Sequence, residues 1–398
     1  MNVLQVYQVF NPEVASGAAK VAYDISRLLA KRGHRVVFYA SDMEDWLTRG
    51  KCGNSVVDGI RIRRFKMIGT MLSRNFKIYF TPSLIMPNNE IQKFDIVHLH
   101  GYISFQSVVI HHYAKKYGVP YVLQAHGSLP RIGAWRRLKW IYDVLFGYRL
   151  LRDAAKVIAL SRVEAEQYRR VGVPDEKIAI IPNGIDLSEY ADLPPKGTFK
   201  KKFGIEEDEK VVLYLGRIHK TKGIDLLVKA YARLTNEMNF RDAVLVIAGP
   251  DDGYLNETKA LANSLGVYNS IKFTGFVSIR DKLGALLDAD VFVTPSFYGF
   301  PITFLEACAI GTPIITTSLG DTLERIDGKV GYVTRPTPQD LAEAVYRIIS
   351  DDKLRRKFSR NCVKVVRSNF SLKRIVERLE RVYEEVVKYA QDGKTTTN

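Results

Sequence analysis

Cysteine is scarce in this chain: Cys52, Cys308 and Cys362 are its three. They are widely spaced and form no CxxC pair, so no disulfide framework is expected, and a reducing, cytoplasmic compartment is. No apolar run approaches the ~18 residues that a membrane span needs. The opening "MNVLQVYQVFNPEVASG" shows no basic leader, apolar stretch and small-residue cleavage site in succession, so no signal peptide is expected. GxGxxG, GxSxG, GxxxxGK[ST] and HExxH are all missing, which removes the dinucleotide fingerprint, the nucleophile elbow, the P-loop and a zincin site. One local absence matters more. The stretch "PSFYGFPITFLEACAIGTP" (295–313) carries Glu306, yet no Asp or Glu occurs from Val291 to Leu305.

What is present is length, apolar content and positive charge. A chain of 398 residues that is 46% hydrophobic is too long for one ordinary core and suits two domains. The formal net charge is +16. Residues 59–77 hold Arg61, Arg63, Arg64, Lys66, Arg74 and Lys77 with no acid. Residues 131–152 hold six basic residues against one acid, Asp143, and interleave them with Trp135, Trp140, Tyr142, Phe146 and Tyr148. That mixture suits peripheral docking on an anionic membrane surface or an acidic ligand. It equally describes a solvated helix whose aromatics face the core, and this second reading is the preferred one. Nucleic acid is not expected, because no recognition motif accompanies the charge.

Short apolar runs alternate with amphipathic stretches along the whole chain. Residues 3–10, 35–40, 95–100, 120–126 and 156–160 read as buried parallel strands, with helices such as 18–31 and 104–117 between them. The pattern restarts after "ADLPPKGTFKKKFGIEEDEK" (191–210), a polar, Pro/Gly-bearing stretch that reads as a linker. Runs at 211–216, 243–249, 271–275, 291–295 and 313–317 follow. The fold class is therefore α/β: two Rossmann-like, doubly wound domains facing across a cleft, spanning 1–190 and 191–369. Residues 370–391 read as a helix with one apolar stripe, and the tail from 392 as frayed.

Several residues sit where such domains bind ligands. "GRIHKTKG" (216–223) follows a strand, and its amides, Arg217 and Lys222 make a phosphate cradle in physical terms. In "YGFPITFLEA", Gly299 and Pro301 precede a helix, so the free amides of Ile302 and Thr303 point at an anion. Glu306 follows within a turn, placed to accept hydrogen bonds from ribose hydroxyls. A Glu that merely complements the helix dipole is the plain alternative. His126 in "QAHGSLP" ends a strand of the first domain, and Gly127 permits close backbone approach. Gly17 in "SGAAK" opens a helix whose amide can approach a diphosphate. "DAD" (288–290) reads as structural at Asp290. "HLH" (98–100), with His111 and His112, lacks the spacing of a metal site, so no metal and no cofactor is expected.

Together "HG" (126–127), "IIPNGID" (180–186), "GRIHKTKG" and "GFPITFLEACAIGTPII" resemble the retaining nucleotide-sugar glycosyltransferases of family four, which have the GT-B fold. The resemblance implies that Arg217 and Lys222 bind the donor diphosphate, that Glu306 holds the ribose and that His126 contacts the donor sugar. It implies Gly17 against the phosphates, Phe276 and Val277 of "TGFV" at the base edge, and the last helix crossing back onto the first domain. One position departs from the family. A second Glu, eight residues before the one matching Glu306, is replaced by Tyr298, and the loop is one residue short. In the family that Glu contacts hydroxyls of the transferred sugar.

The expected activity is a metal-independent, retaining transfer of a hexose to a lipid-linked or polysaccharide acceptor, a cell-envelope reaction. With no nucleophile on the sugar face, the departing diphosphate would take the acceptor's proton while cations neutralise it. Two other readings stay open. A nucleotide-sugar epimerase would need further carboxylates to move protons. A degenerate transferase would bind nucleotide-sugar or a partner without turnover, and Tyr298 is the residue that argues for it.

Overall fold

A computed structural model describes residues 1–12, 17–44, 48–69, 79–85, 89–130, 136–296, 301–318 and 326–395. By internal contacts the chain divides into two units, Met1–Gly184 with Leu372–Asn398, and Ile185–Ser371.

The first unit is built on β1 (Asn2–Val6), β2 (Arg35–Ser41), β3 (Gly53–Val57), β4 (Ile60–Phe65), β5 (Ile96–His100), β6 (Tyr121–Gln124), β7 (Lys156–Ala159) and β8 (Ile178–Ile180). Their order is β3-β4-β2-β1-β5-β6-β7-β8. All neighbours are parallel except the β3–β4 hairpin. The central strands are buried along their length because helices cover both faces, which is why they read as unbroken apolar runs. The chain leaves β1 toward β2 on one side and reaches β5 on the other, so the carboxyl ends of β1 and β5 flank a topological switch point.

Helix Leu372–Thr395 belongs to this unit and packs on helix Gly17–Lys31. Leu372, Ile375, Val376, Leu379 and Val386 form the buried stripe, while Val382 and Val387 are only half-buried and Tyr383 is wholly enclosed. The helix runs through Asp392 to Thr395, so the tail expected to fray from residue 392 is largely helical.

The second unit holds β9 (Lys210–Leu215), β10 (Ala243–Ala248), β11 (Ile271–Gly275), β12 (Val291–Thr294), β13 (Ile314–Thr317) and β14 (Gly331–Thr334). The sheet is parallel throughout, in the order β11-β10-β9-β12-β13-β14. Its switch point lies between β9 and β12. Stretch 191–210 is not a free linker. It contains helix Thr198–Lys202, whose Phe199 is buried, and Asp288 caps that helix by accepting from the amides of Gly197, Phe199 and Lys200 at 2.6, 3.0 and 3.1 Å. Asp290 accepts from the Val211 amide at 2.9 Å and pairs with Arg355 at 3.0 Å, a structural role as expected.

The basic, aromatic run corrects a third expectation. Within 136–153, Trp140, Phe146 and Tyr148 are exposed rather than turned to the core, and only Tyr142 is half-buried. Trp135 lies outside the described residues. The inward positions are taken by Lys139, Asp143 and Gly147 instead.

Candidate functional site

Three neighbouring strands of the second unit end in glycine: Gly216 after β9, Gly249 after β10 and Gly275 closing β11. The Gly216 amide donates to Ala248 O at 2.9 Å, and the Gly249 amide to Gly275 O at 2.8 Å. A Cβ on Gly249, at φ +140°, would lie 1.9 Å from Gly216 O, so the two loops touch backbone to backbone. The Ile218 amide then donates to Pro250 O and the Asp252 amide to Ile218 O, which zips the loops together. The carboxyl edge of the sheet is thus a fixed floor.

On that floor, residues 217–223 turn into helix Ile224–Asn236 through a short 3-10 turn at Lys220–Lys222. His219 caps this turn, its Nδ1 accepting from the Thr221 amide at 3.2 Å. Gly223, at φ +68°, lets the turn press on the end of β12: a Cβ there would be 3.1 Å from Pro295 Cβ. Arg217 and Lys222 therefore stand at the switch point, in a turn that packs on the end of β12.

The two cations differ. Arg217 is paired with Asp252, and Tyr214 OH donates to its carbonyl at 2.9 Å. Lys222 is half-buried and has no partner among the described residues. Burial, and then the nearby Arg217 charge, lower its ammonium pKa. A partly desolvated cation next to a second cation is a site that gains from an anion.

Among the described residues helix Ile302–Ile310 has no side-chain cap and no acid in its first turn, so none of them compensates the dipole at the amides of Ile302 and Thr303. Gly299 and Tyr298 lie outside the described residues. Glu306 is buried in the second turn. Its Oε1 accepts from Lys282 Nζ at 2.7 Å and from Tyr190 OH at 3.3 Å. Lys282 comes from helix Ile279–Asp288, which starts just after Phe276 and Val277. Phe276 is 71% exposed and Val277 half-buried. The sequence reading missed Lys282, Tyr190 and Asp252; nothing in their local pattern separates them from ordinary surface residues.

His126 and Gly17 lie in the first unit. Gly17 begins its helix in open space, with nothing within 4 Å of where a Cβ would stand. His126 takes φ +53°, a left-handed conformation that costs a non-glycine residue on the order of 1 kcal/mol. Glu164 fixes the loop by accepting from the Gly127 amide at 2.7 Å and the Leu160 amide at 2.7 Å, and Tyr168 OH accepts from the Ala125 amide at 3.0 Å.

Behind His126 runs a row of polar side chains on β1, β5 and the C-terminal helix. Gln5 Nε2 donates to Tyr383 OH at 3.2 Å, and Tyr383 OH is hydrogen-bonded with His98 Nδ1 at 2.7 Å. Gln5 Oε1 accepts from His100 Nε2 at 2.7 Å. His100 Nδ1 is then unprotonated and accepts from His126 Nε2 at 3.0 Å. With this orientation of Gln5, His126 carries its proton on Nε2 and leaves Nδ1 as an acceptor. Burial holds all three rings neutral: it lowers His126 to about 3, lowers His98, with the His126 charge, to about 3, and sets His100 well below its ordinary value. The sequence carried a signal for this row. Gln5, His98 and His100 interrupt otherwise apolar central strands, and polar residues there need a partner.

Comparison with known proteins follows the same division of the chain. Residues 15–189 match the family model "Glycosyltransferase Family 4", and residues 195–365 match "Glycosyl transferases group 1". The D-inositol 3-phosphate glycosyltransferase of Actinosynnema mirum is 30% identical over 312 residues, 73% of this chain and 72% of that protein. The UDP-Gal:alpha-D-GlcNAc-diphosphoundecaprenol alpha-1,3-galactosyltransferase of Escherichia coli is 27% identical over 303 residues, 74% of this chain and 76% of that one. In fold, the chain is similar to Anabaena HepE, solved in complex with UDP and glucose: TM-score 0.77 at 18% identity, covering 97% of this chain and 100% of that chain.

Proposed function

The chain belongs to the family 4 glycosyltransferases and has their GT-B fold, and from that premise we propose that it moves a hexose from a nucleoside-diphosphate donor to a lipid-linked or polysaccharide acceptor with retention of configuration. One observation carries the donor assignment. Lys222 is a partly buried cation with no counter-ion among the described residues, in the turn that packs on the end of β12 at the switch point of the second sheet. A diphosphate supplies the charge that this arrangement lacks.

In this reading Lys222 and the amides of Ile302 and Thr303 take the diphosphate. Arg217 joins them by exchanging Asp252 for phosphate oxygen. Glu306 holds the ribose hydroxyls, sharing its carboxylate between them and Lys282. Phe276 and Val277 meet the base. Gly17 leaves room for a phosphate, and His126, fixed in one tautomer, offers Nδ1 to a sugar hydroxyl. The C1–O bond to the diphosphate breaks with its electron pair leaving on phosphate oxygen. That oxygen takes the proton of the acceptor hydroxyl, and the acceptor oxygen bonds C1 on the face just vacated. The cations neutralise the leaving group as its charge develops, so the step needs no metal. The lipid-linked acceptor is favoured by the likeness to a relative named for a diphosphoundecaprenol substrate.

The test is turnover. Candidate nucleotide-sugars are incubated with the chain in chelator, released nucleoside diphosphate is measured, and the product's anomeric coupling is read by NMR. Release with retained configuration supports the proposal. Inverted product refutes the retaining step. Nucleotide binding without release or transfer favours the degenerate reading that Tyr298 raises.

A further inference from the structure

The stretch 136–153 has its amphipathic sides reversed. Two helical segments, Arg136–Tyr142 and Tyr148–Asp153, are joined by one π-helical turn at Asp143–Gly147. The inward residues before Leu150 recur every four positions and are not apolar. Lys139 pairs with Asp143 at 3.5 Å and lies over the Tyr102 ring at 4.6 Å, and Tyr102 OH donates to Asp143 at 2.9 Å. Gly147 faces the Tyr102 hydroxyl so closely that a Cβ would stand 2.0 Å from it. The outward residues are the greasy ones: Leu138, Trp140, Ile141, Val144, Leu145 and Phe146 are each 42 to 55% exposed. Single exposed apolar residues are common on soluble proteins, but a contiguous set on one short element marks a binding surface.

Charge on the same surface narrows the occupant. Arg136, Arg137, Arg149 and Arg152 flank the apolar residues, and the first three have no carboxylate partner among the described residues. The stretch has two acids. Asp143 is buried, and Asp153 is held by His111, Lys115 and Arg152 at 3.1, 2.9 and 2.9 Å. A groove of about 410 Å³ beside it is lined by Val108, Lys115, Lys116, Leu145, Phe146 and Arg149 among others. A face with an apolar centre, an arginine border and no exposed carboxylate of its own complements a bilayer whose headgroups are anionic. No described helix is long and apolar enough to cross a membrane, so the contact would be peripheral.

We propose that residues 136–153 are a membrane-docking surface, seating Trp140, Ile141 and Leu145 at the acyl boundary and the arginines on anionic headgroups. The inference stands on this surface alone and does not need the transferase reading. The full chain is sedimented with vesicles of phosphatidylcholine, alone or with about one third phosphatidylglycerol. The chain should pellet with the anionic vesicles, less so as salt rises, and its tryptophan emission should shift to the blue. Ile141→Glu/Leu145→Glu should weaken partitioning by at least about tenfold with the melting temperature unchanged, since both side chains already face outward. Arg136→Gln/Arg137→Gln should weaken it by roughly tenfold. A wild-type chain that stays in the supernatant overturns the proposal. So does equal pelleting of the Glu variant. A dimer that the Glu variant turns into a monomer overturns it too, because a second copy would then cover the face.

Discussion

Lys282 and Glu306 give the sharpest way to separate a ligand-binding carboxylate from a structural one. Glu306→Ala removes a buried acceptor and leaves the Lys282 ammonium, 2.7 Å away, without its partner. The Lys282 side chain is 24% exposed and can turn toward water, so the cost should fall near the low end for broken buried pairs, about 1–3 kcal/mol. Lys282→Ala strands the carboxylate instead and should cost a similar amount. The double variant should cost less than the sum, with a coupling of about 1–3 kcal/mol in urea unfolding. Nucleotide binding must split the pair. If Glu306 accepts from ribose hydroxyls, its loss removes charge-assisted hydrogen bonds worth about 1.5–3 kcal/mol, or roughly 10- to 100-fold in Kd. Lys282→Ala should leave affinity unchanged or raise it, because the carboxylate then has one competitor fewer. A Glu306→Ala chain that is destabilised as described yet binds nucleoside diphosphate within about twofold of wild type would refute the ribose role and reduce Glu306 to half of an ion pair.

Two further outcomes follow from the geometry. His98 and His100 are fully buried and held neutral, with folded pKa values far below the ~6.5 of an exposed histidine, so the unfolded chain binds more protons below that pH. Their contribution to stability is complete above about pH 6.5 and is lost progressively as pH falls below it, at up to roughly 3 kcal/mol per pH unit for two protons. Urea unfolding between about pH 7 and pH 5, above most carboxylate titrations, should show this slope, and a flat profile would contradict the neutral row. Gly249→Ala places a Cβ 1.9 Å from Gly216 O at φ +140° and should cost about 3 kcal/mol or more in unfolding free energy, whereas Gly17→Ala, in open space, should leave the melting temperature unchanged. Equal melting of the two variants would mean that the β9 and β10 loops need not touch.

Much of the architecture was legible because parallel strands covered on both faces write themselves as apolar runs. All ten runs singled out in the sequence are strands in the structure. Four strands were not anticipated. β8 and β14 are short and only partly buried, so they leave little apolar signal. The β3–β4 hairpin left a clear one: Asp58-Gly59, with φ of 50° and 77°, is a two-residue hairpin turn, but β4, IRIRRF, is interrupted by arginines and makes no continuous apolar run. The site was legible where backbone chemistry sets it. Gly223 and Pro301 stand at the strand-to-helix turns that their residue types announce. Partners that arrive from distant sequence, such as Asp252 for Arg217, Lys282 for Glu306 and Tyr383 for His98, were not, because only the fold brings them together. The reversed helix at 136–153 failed for a further reason. Periodicity reports that a stretch is two-sided, and the assumption that the apolar side faces inward is what the structure overturns.

The measurement that tests the donor site most directly is calorimetric titration of UDP, GDP and ADP, in chelator, against the full chain and its Lys222→Met variant. The account predicts that one of the three binds without metal and that the variant loses at least about tenfold in affinity, since it removes a half-buried cation that has no other partner among the described residues. Absence of binding by all three, or binding that Lys222→Met leaves unchanged, would contradict it.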